Sequence, residues 1–167
     1  MNLLILSSAY VADDLMPEFG AIPPSFLPLA GRYLFEHQAK MSDFEEVYIT
    51  IPENYKLPDP AAGKLSELGV KAIPINPDKT IPEVINFALS VIPEDTPMTV
   101  IFGDTLIKDK SPPTEFIGVS NVKNEHKWAI FDQKRLIFQE NKIPKEGDSV
   151  FVGWVAVDQG KKLKPKL

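Results

Sequence analysis

The sequence of 167 residues contains no cysteine. Disulfide cross-links, thiolate catalysis and cysteine-ligated zinc are therefore excluded, and a reducing cytosol is the natural setting. Basic charge is in short supply: 18 Lys and Arg stand against 23 Asp and Glu, a formal net charge of -5. Such a balance is not built to follow a phosphate backbone, so nucleic acid is not an expected partner. Histidine occurs twice, at His37 and His126. Neither shows the orienting neighbour that a general base needs. There is no long hydrophobic run. The apolar start, Met1-Asn2-Leu3-Leu4-Ile5-Leu6-Ser7-Ser8, lacks a basic flank and is too short to span a bilayer, so it reads as a first strand and no membrane partner is expected. No glycine and no basic residue precedes Gly20, and there is no internal repeat or low-complexity stretch.

What is present is ordinary globular material: 44% hydrophobic and 25% charged residues, enough for one domain with a real core. The 16 prolines, against a usual share of about 5%, fall mainly between apolar segments and punctuate the fold. Leu3 to Leu6 reads as a central strand. Ser7 to Pro28 is a long irregular connection, of the kind that is uncommon in compact domains unless it is functional. Ala30-Gly31 makes a turn, and Tyr33 to Met41 carries helical spacing through Leu34, His37, Gln38 and Met41. A second strand covers Glu46 to Ile51, and a helix covers Ala61 to Leu68, closed by Gly69. A third, short strand follows at Ala72 to Ile75. Thr80-Ile81-Pro82-Glu83 is a capping box that opens a helix running to Val91, ended by Pro93.

Met98-Thr99-Val100-Ile101-Phe102 is a continuous apolar run bounded by turn residues, as expected of a strand buried on both faces. It ends in Gly103-Asp104-Thr105. Open α/β sheets bind ligands at the carboxyl edge of their strands, which is where Asp104 falls; a turn or cap role is the plainer alternative. Up to this point strands and helices alternate, which predicts a parallel sheet with right-handed crossovers. The rest is β-rich: Phe116 to Val119, a hairpin of Trp128 to Phe131 with Arg135 to Phe138, and Ser149 to Val157. The four lysines among the last seven residues read as a solvated end.

This order resembles that of the sugar-phosphate nucleotidyltransferases, enzymes that join a nucleoside triphosphate to a sugar 1-phosphate. Four stretches carry the resemblance. Pro24 to Leu34 is similar to the family's P-K-x-L-L-P-V-x-G-K-P-L. Thr80 to Leu89 is similar to the helix before its metal strand. Val100 to Thr105 is similar to L-L-G-D-x. Phe138-Gln139-Glu140-Asn141-Lys142, with Val152-Gly153-Trp154 beyond it, is similar to the region holding the sugar phosphate. The resemblance implies a Rossmann-like, GT-A-type α/β fold with a mostly parallel central sheet and a β-rich second half. It implies one domain over 1–167, with a nucleotide-binding half over 1–107 and a sugar-phosphate side over 108–167, in a chain short for the family. It further implies a cytoplasmic protein that makes nucleotide-activated sugars for surface polysaccharide. Its partners would be an NTP and a phosphorylated sugar, and Mg²⁺ would sit on Asp104. One or two carboxylates suffice for that ion, because phosphates and waters supply the rest. The implied substrate contacts are Ser8, Tyr10, Ser25, Gly103, Glu140 and Lys142, with Arg32 the nearest base to the Pro24 segment; Glu140 and Lys142 otherwise read as a charged pair in a loop.

The departures are equally specific. Where the family has G-x-G-T-R after its first strand, this chain reads Ser8-Ala9-Tyr10-Val11-Ala12-Asp13-Asp14. The glycine amides and the Arg that meet a triphosphate are missing, and Asp13 and Asp14 read either as a solvated turn or as metal or substrate contacts. Ser25 replaces the lysine of P-K. Asp158 does not match the second metal Asp. Two further functions stay open: a binding or regulatory module that lost the phosphate loop, and a GT-A-type glycosyltransferase, although Gly103-Asp104-Thr105-Leu106 lacks the second carboxylate of Asp-x-Asp.

Overall fold

A computed structural model describes residues 1–93, 95–108, 115–122, 127–132 and 137–163, with the side chains of Ile137, Phe138, Glu140 and Asn141 excepted. In chain order the elements are β1 (Asn2–Leu6), α1 (Met16–Phe19), β2 (Pro28–Leu29), β3 (Arg32–Tyr33), α2 (Leu34–Gln38), β4 (Val47–Pro52), α3 (Asp59–Glu67), β5 (Val70–Ile75), α4 (Ile81–Ala88) and β6 (Met98–Phe102). Then come β7 (Phe116–Ser120), β8 (Trp128–Asp132), β9 (Ile137–Lys142) and β10 (Val150–Val157). The main sheet has eight strands in the order β5-β4-β1-β6-β10-β8-β9, with β7 also on β10.

β5, β4, β1 and β6 are all parallel. The alternation of side chains across β1 explains why this part must be covered on both faces. Leu3 and Ile5 point into one core with Phe26, Phe35, Ile49, Leu65 and Ile101. Leu4 points into the other with Ile73, Val84, Ala88, Leu89 and Met98. The amphipathic helix α4 supplies the second cover, and it starts where expected. The Glu83 carboxylate accepts the Thr80 N–H at 2.8 Å and the Thr80 hydroxyl at 2.7 Å.

The second half is antiparallel. β10 lies against β6 with Trp154 opposite Ile101 and Val157 opposite Met98, and it carries β7 on its own account. The register breaks between Phe151 and Val155. Gly153 sits in this break at φ +70, and a Cβ there would stand 2.6 Å from the Phe102 ring.

Several boundaries differ from expectation: β4, α3 and β5 shift by one or two residues at their ends, and three others differ with a physical reason. Tyr33 belongs to β3, because Ala30 (φ 50) and Gly31 (φ 76) form a tight turn that pairs Leu29 with Arg32. The helix then runs only from Leu34 to Gln38. α4 stops at Ala88: the N–H groups of Ser90 and Val91 turn back to Phe87 and Ala88, tightening the last turn ahead of Pro93. β9 begins at Ile137 and extends to Lys142, which lies opposite Trp128, so Glu140 and Lys142 are strand residues and not loop residues. The expected hairpin turn at Gln133-Lys134, the strand residues Arg135 and Leu136, His126, Lys164 and Lys166 lie outside the described residues. Lys161 and Lys162 are not free in solvent; they pair with Asp95 at 2.8 Å and with Glu115 and Asp158 at 2.6 and 2.8 Å. Among the described residues no helix is long and apolar enough to cross a membrane.

The capping box gives a pH dependence. Hydrogen bonds from the Thr80 hydroxyl and then the Thr80 amide hold the Glu83 carboxyl below its usual range. The Lys71 ammonium does the same for Glu46, and Lys162 for Asp158. A depressed folded pKa stabilises at pH values above the unfolded pKa, and the contribution is lost as pH falls through the folded one. Thermal stability should therefore hold from neutral pH to about 5 and decline below that range. Glu83→Gln should lower Tm at pH 7 and shallow the acid decline, as followed by circular dichroism melts across pH.

Candidate functional site

β1 and β6 end side by side, at Leu6 and Phe102. The Gly103 N–H donates to the Leu6 carbonyl at 2.8 Å, which extends the ladder by one step. Gly103 has to be glycine: an added Cβ would lie 2.8 Å from Ser7 Oγ, 2.9 Å from Ser25 Oγ and 3.0 Å from the Leu6 oxygen. The two serines are fixed in turn. The Ser25 hydroxyl donates to the Gly103 carbonyl at 3.1 Å, the Ser25 N–H donates to Ser7 Oγ at 3.0 Å, and the Ser7 N–H donates to Thr50 Oγ1 at 2.9 Å.

Gln38 closes the turn from below. Its side-chain amide lies 3.1 Å from the Phe102 carbonyl, 3.2 Å from that of Gly103 and 2.8 Å from that of Thr105. Two hydrogens are thus shared among three acceptors. The Thr105 hydroxyl donates to the Val152 carbonyl at 3.0 Å and lies 3.3 Å from Asp104 Oδ1. The turn is held on every side, and Asp104 alone presents an exposed side chain from its centre.

Asp104 opens onto a cleft of about 190 Å³. Ser8, Ala9 and Pro24 line it from the first connection, and Ile81 and Val84 line it from α4. Leu6, Phe102 and Gly103 line it from the ends of β1 and β6, and Lys79 lines it from the connection before α4. The walls are mostly apolar. The two charges in the lining are the Asp104 carboxylate and the Lys79 ammonium, and no carboxylate among the described residues forms a salt bridge with Lys79. Among the described residues no backbone acceptor takes the N–H of Ser8 or Ala9.

The structure brings Ser8, Gly103 and Asp104 together in this cleft. Ser25 is fully buried beneath Gly103, with its hydroxyl spent on the turn. The Tyr10 hydroxyl donates to Asn54 Oδ1 at 2.7 Å, and its ring meets the edge of Tyr55, outside the lining of the cleft. Glu140 and Lys142 lie on β9, at the far edge of the sheet, with β10 and β8 between them and β6. Asp13 and Asp14 are exposed ahead of α1, and the His37 ring contacts the Leu29 carbonyl at 2.9 Å. Val152-Gly153 does come alongside Phe102 and Thr105.

Sequence reasoning missed Lys79 and the role of Gln38. Lys79 had one available signal: it directly precedes the capping box, in a strand-to-helix connection that must open at the carboxyl edge.

Among the described residues no three His, Asp or Glu side chains gather to hold a metal. A lone exposed carboxylate still fits Mg²⁺ where a bound polyphosphate and water complete the shell. Asp104 is the residue that would hold it.

No protein-family model and no curated protein sequence matches the chain. Solved structures do match it in three dimensions. HddC from Yersinia pseudotuberculosis, in complex with GMP-PN, superposes with a TM-score of 0.68 at 16% identity, over 99% of this chain and 79% of that one. A Bacillus anthracis protein assigned by inference as a glucose-1-phosphate thymidylyltransferase gives 0.70 at 17%, over 98% and 73%. The CTP:phosphocholine cytidylyltransferase LicC of Streptococcus pneumoniae gives 0.65 at 11%, over 96% and 73%. The chain has the sugar-phosphate nucleotidyltransferase fold. At these identities the likeness establishes the fold and leaves the reaction to the residues of the cleft. Within that fold, β1 and β6 set the cleft and the antiparallel β10 flanks it.

Gly103→Ala should cost about 1–3 kcal/mol, the range for overpacking a tight site. A lower Tm, with the amide resonances of residues 102–105 shifted, is the expected result.

Proposed function

We propose that the protein transfers a nucleotidyl group from an NTP to a phosphorylated sugar or a similar phosphorylated small molecule. The observation that carries this is the placement of one carboxylate, Asp104, and one ammonium, Lys79, in the same cleft at the carboxyl edge of a nucleotidyltransferase sheet. In such a transfer an oxygen of the acceptor phosphate bonds to the α-phosphorus, and the bond from that phosphorus to the bridging oxygen of pyrophosphate breaks. Two anions must approach, so catalysis is mostly positioning and charge neutralisation.

Each group of the cleft has a part in that task. Lys79 donates to phosphate oxygens and supplies the positive charge that the first loop, without Arg or Lys, does not. The N–H groups of Ser8 and Ala9 add neutral donors. The apolar walls at Pro24, Ile81, Val84 and Phe102 take the flat face of the base or sugar and exclude water from one side. Mg²⁺ on Asp104, with phosphate oxygens and water, would neutralise the remaining charge on the phosphates. Thr105, tied to Val152, sets the direction of Asp104. Asp13, Asp14 and Glu18 face solvent, so they do not oppose an anion in the cleft. The product, a nucleotide-activated sugar, suits a cytoplasmic step that supplies surface polysaccharide.

A second reading is a binding module without turnover. The single carboxylate in the cleft favours it, because only one ligand holds the ion.

Two measurements separate the readings. Pyrophosphate release from each NTP, with a panel of sugar 1-phosphates and Mg²⁺, should be measurable. It should fall at least 100-fold in Asp104→Ala and about 10- to 100-fold in Lys79→Ala, as expected for loss of a charge-stabilising group. Calorimetric NTP binding without any release would favour the module. Neither binding nor release, with no effect of either variant, would contradict both.

A further inference from the structure

A second cleft, of about 270 Å³, shares no lining residue with the first. Arg32, His37, Lys40 and Met41 line it from β3, α2 and the residues after α2, and Ile107 and Lys108 line it from the segment after the Asp104 turn. The two segments meet where the Ile107 N–H points to Met41 Sδ at 3.4 Å. Arg32, Lys40 and Lys108 are exposed, and among the described residues none of them forms a salt bridge. The one acid in the lining, Glu36, is buried, and its Oε1 already accepts the Tyr33 N–H at 2.9 Å. Three cations against one engaged carboxylate leave a local excess of positive charge on a chain whose net charge is -5. Like charges held together repel, and a concave wall focuses their field. An anion carrying several charges relieves that repulsion, and phosphate oxygens suit Arg and Lys donors best.

We infer that this cleft is a second anion site, and that it takes a phosphorylated small molecule. Arg32 grips phosphate oxygens through its planar fork, and Lys40 and Lys108 close on them as point charges. The site does not depend on the reaction proposed for the first cleft. It does lie next to that cleft's support, for Gln38 follows His37 on α2, and Lys108 lies on the same connection as Asp104. A phosphorylated metabolite bound here would tie α2 to the segment that follows the Asp104 turn.

The test uses the full chain carrying Asp104→Ala and Lys79→Ala, so that the first cleft contributes no charged group and failure of the proposed reaction leaves the result readable. Inorganic pyrophosphate and glucose 1-phosphate are titrated separately by calorimetry at low ionic strength without Mg²⁺. Saturable binding of at least one probe, one per chain, is expected. Adding Arg32→Gln and Lys108→Gln should weaken it at least tenfold, whereas Lys56→Gln, on an exposed loop elsewhere, should leave it unchanged. Stronger binding of pyrophosphate would assign an inorganic ligand, and binding of glucose 1-phosphate at least as tightly would assign a phosphate ester. No saturable binding, or equal weakening by Lys56→Gln, would overturn the inference. The substituted side chains are exposed, and unchanged circular dichroism spectra will establish that the variants are folded.

Discussion

The side-chain amide of Gln38, buried under the end of β6, donates to the carbonyls of Phe102, Gly103 and Thr105. These carbonyls leave the sheet at a place that water does not reach freely, and an unpaired buried carbonyl costs about 1–3 kcal/mol. One amide therefore decides the path of the backbone through the turn, and with it the position of Asp104. The arrangement has a cost of its own, because Gln38 Oε1 is buried without a hydrogen-bond partner. The three carbonyls outweigh that single acceptor. Gln38 can serve only because Leu34 and Phe35 anchor α2 in the core beside it. Ser7, Ser25 and Thr50 then fill the other side of Gly103 with a chain of hydroxyls.

Rigidity of this kind matters for a cleft with few charges. A single carboxylate and a single ammonium can act on a polyphosphate only when their positions are set in advance, since the electrostatic gain comes from groups that need not reorganise. The parallel half fixes the turn from β1, and the antiparallel half fixes it from β10 through Val152 and Gly153. The two halves of the chain thus meet at Phe102. The first loop lines the cleft through Ser8 and Ala9. Positive charge comes from Lys79, in the connection before α4.

Much of this was legible in the sequence. Uninterrupted apolar runs at Leu3–Leu6 and Met98–Phe102 mark strands buried on both faces, and Thr80 with Glu83 marks the start of α4. Gly103-Asp104 following such a strand marks the carboxyl edge of the sheet. The illegible parts depend on long-range contacts. Gln38 reads as one more residue on a helix face until the chain folds back and puts Phe102 above it, 64 positions away. Ser25 reads as a substitute for a phosphate-binding lysine, but its hydroxyl is turned inward by the missing Cβ of Gly103. Lys79 has only its place before the capping box to mark it, and the crossover from β5 to β6 through α4 brings it into the same cleft as Asp104. Glu140 and Lys142 read as loop residues because their charge masks a strand that is defined by pairing with β8.

The central claim is that a metal-bound nucleotide occupies the cleft beside Asp104. Paramagnetic broadening tests it most directly: Mn²⁺ replaces Mg²⁺ in the presence of an NTP, and the amide resonances are followed. The account predicts that Ser8, Ala9 and Gly103 to Thr105 broaden first, only with nucleotide present, and that Asp104→Ala abolishes the effect. Broadening elsewhere, or none at these residues with nucleotide bound, would contradict it.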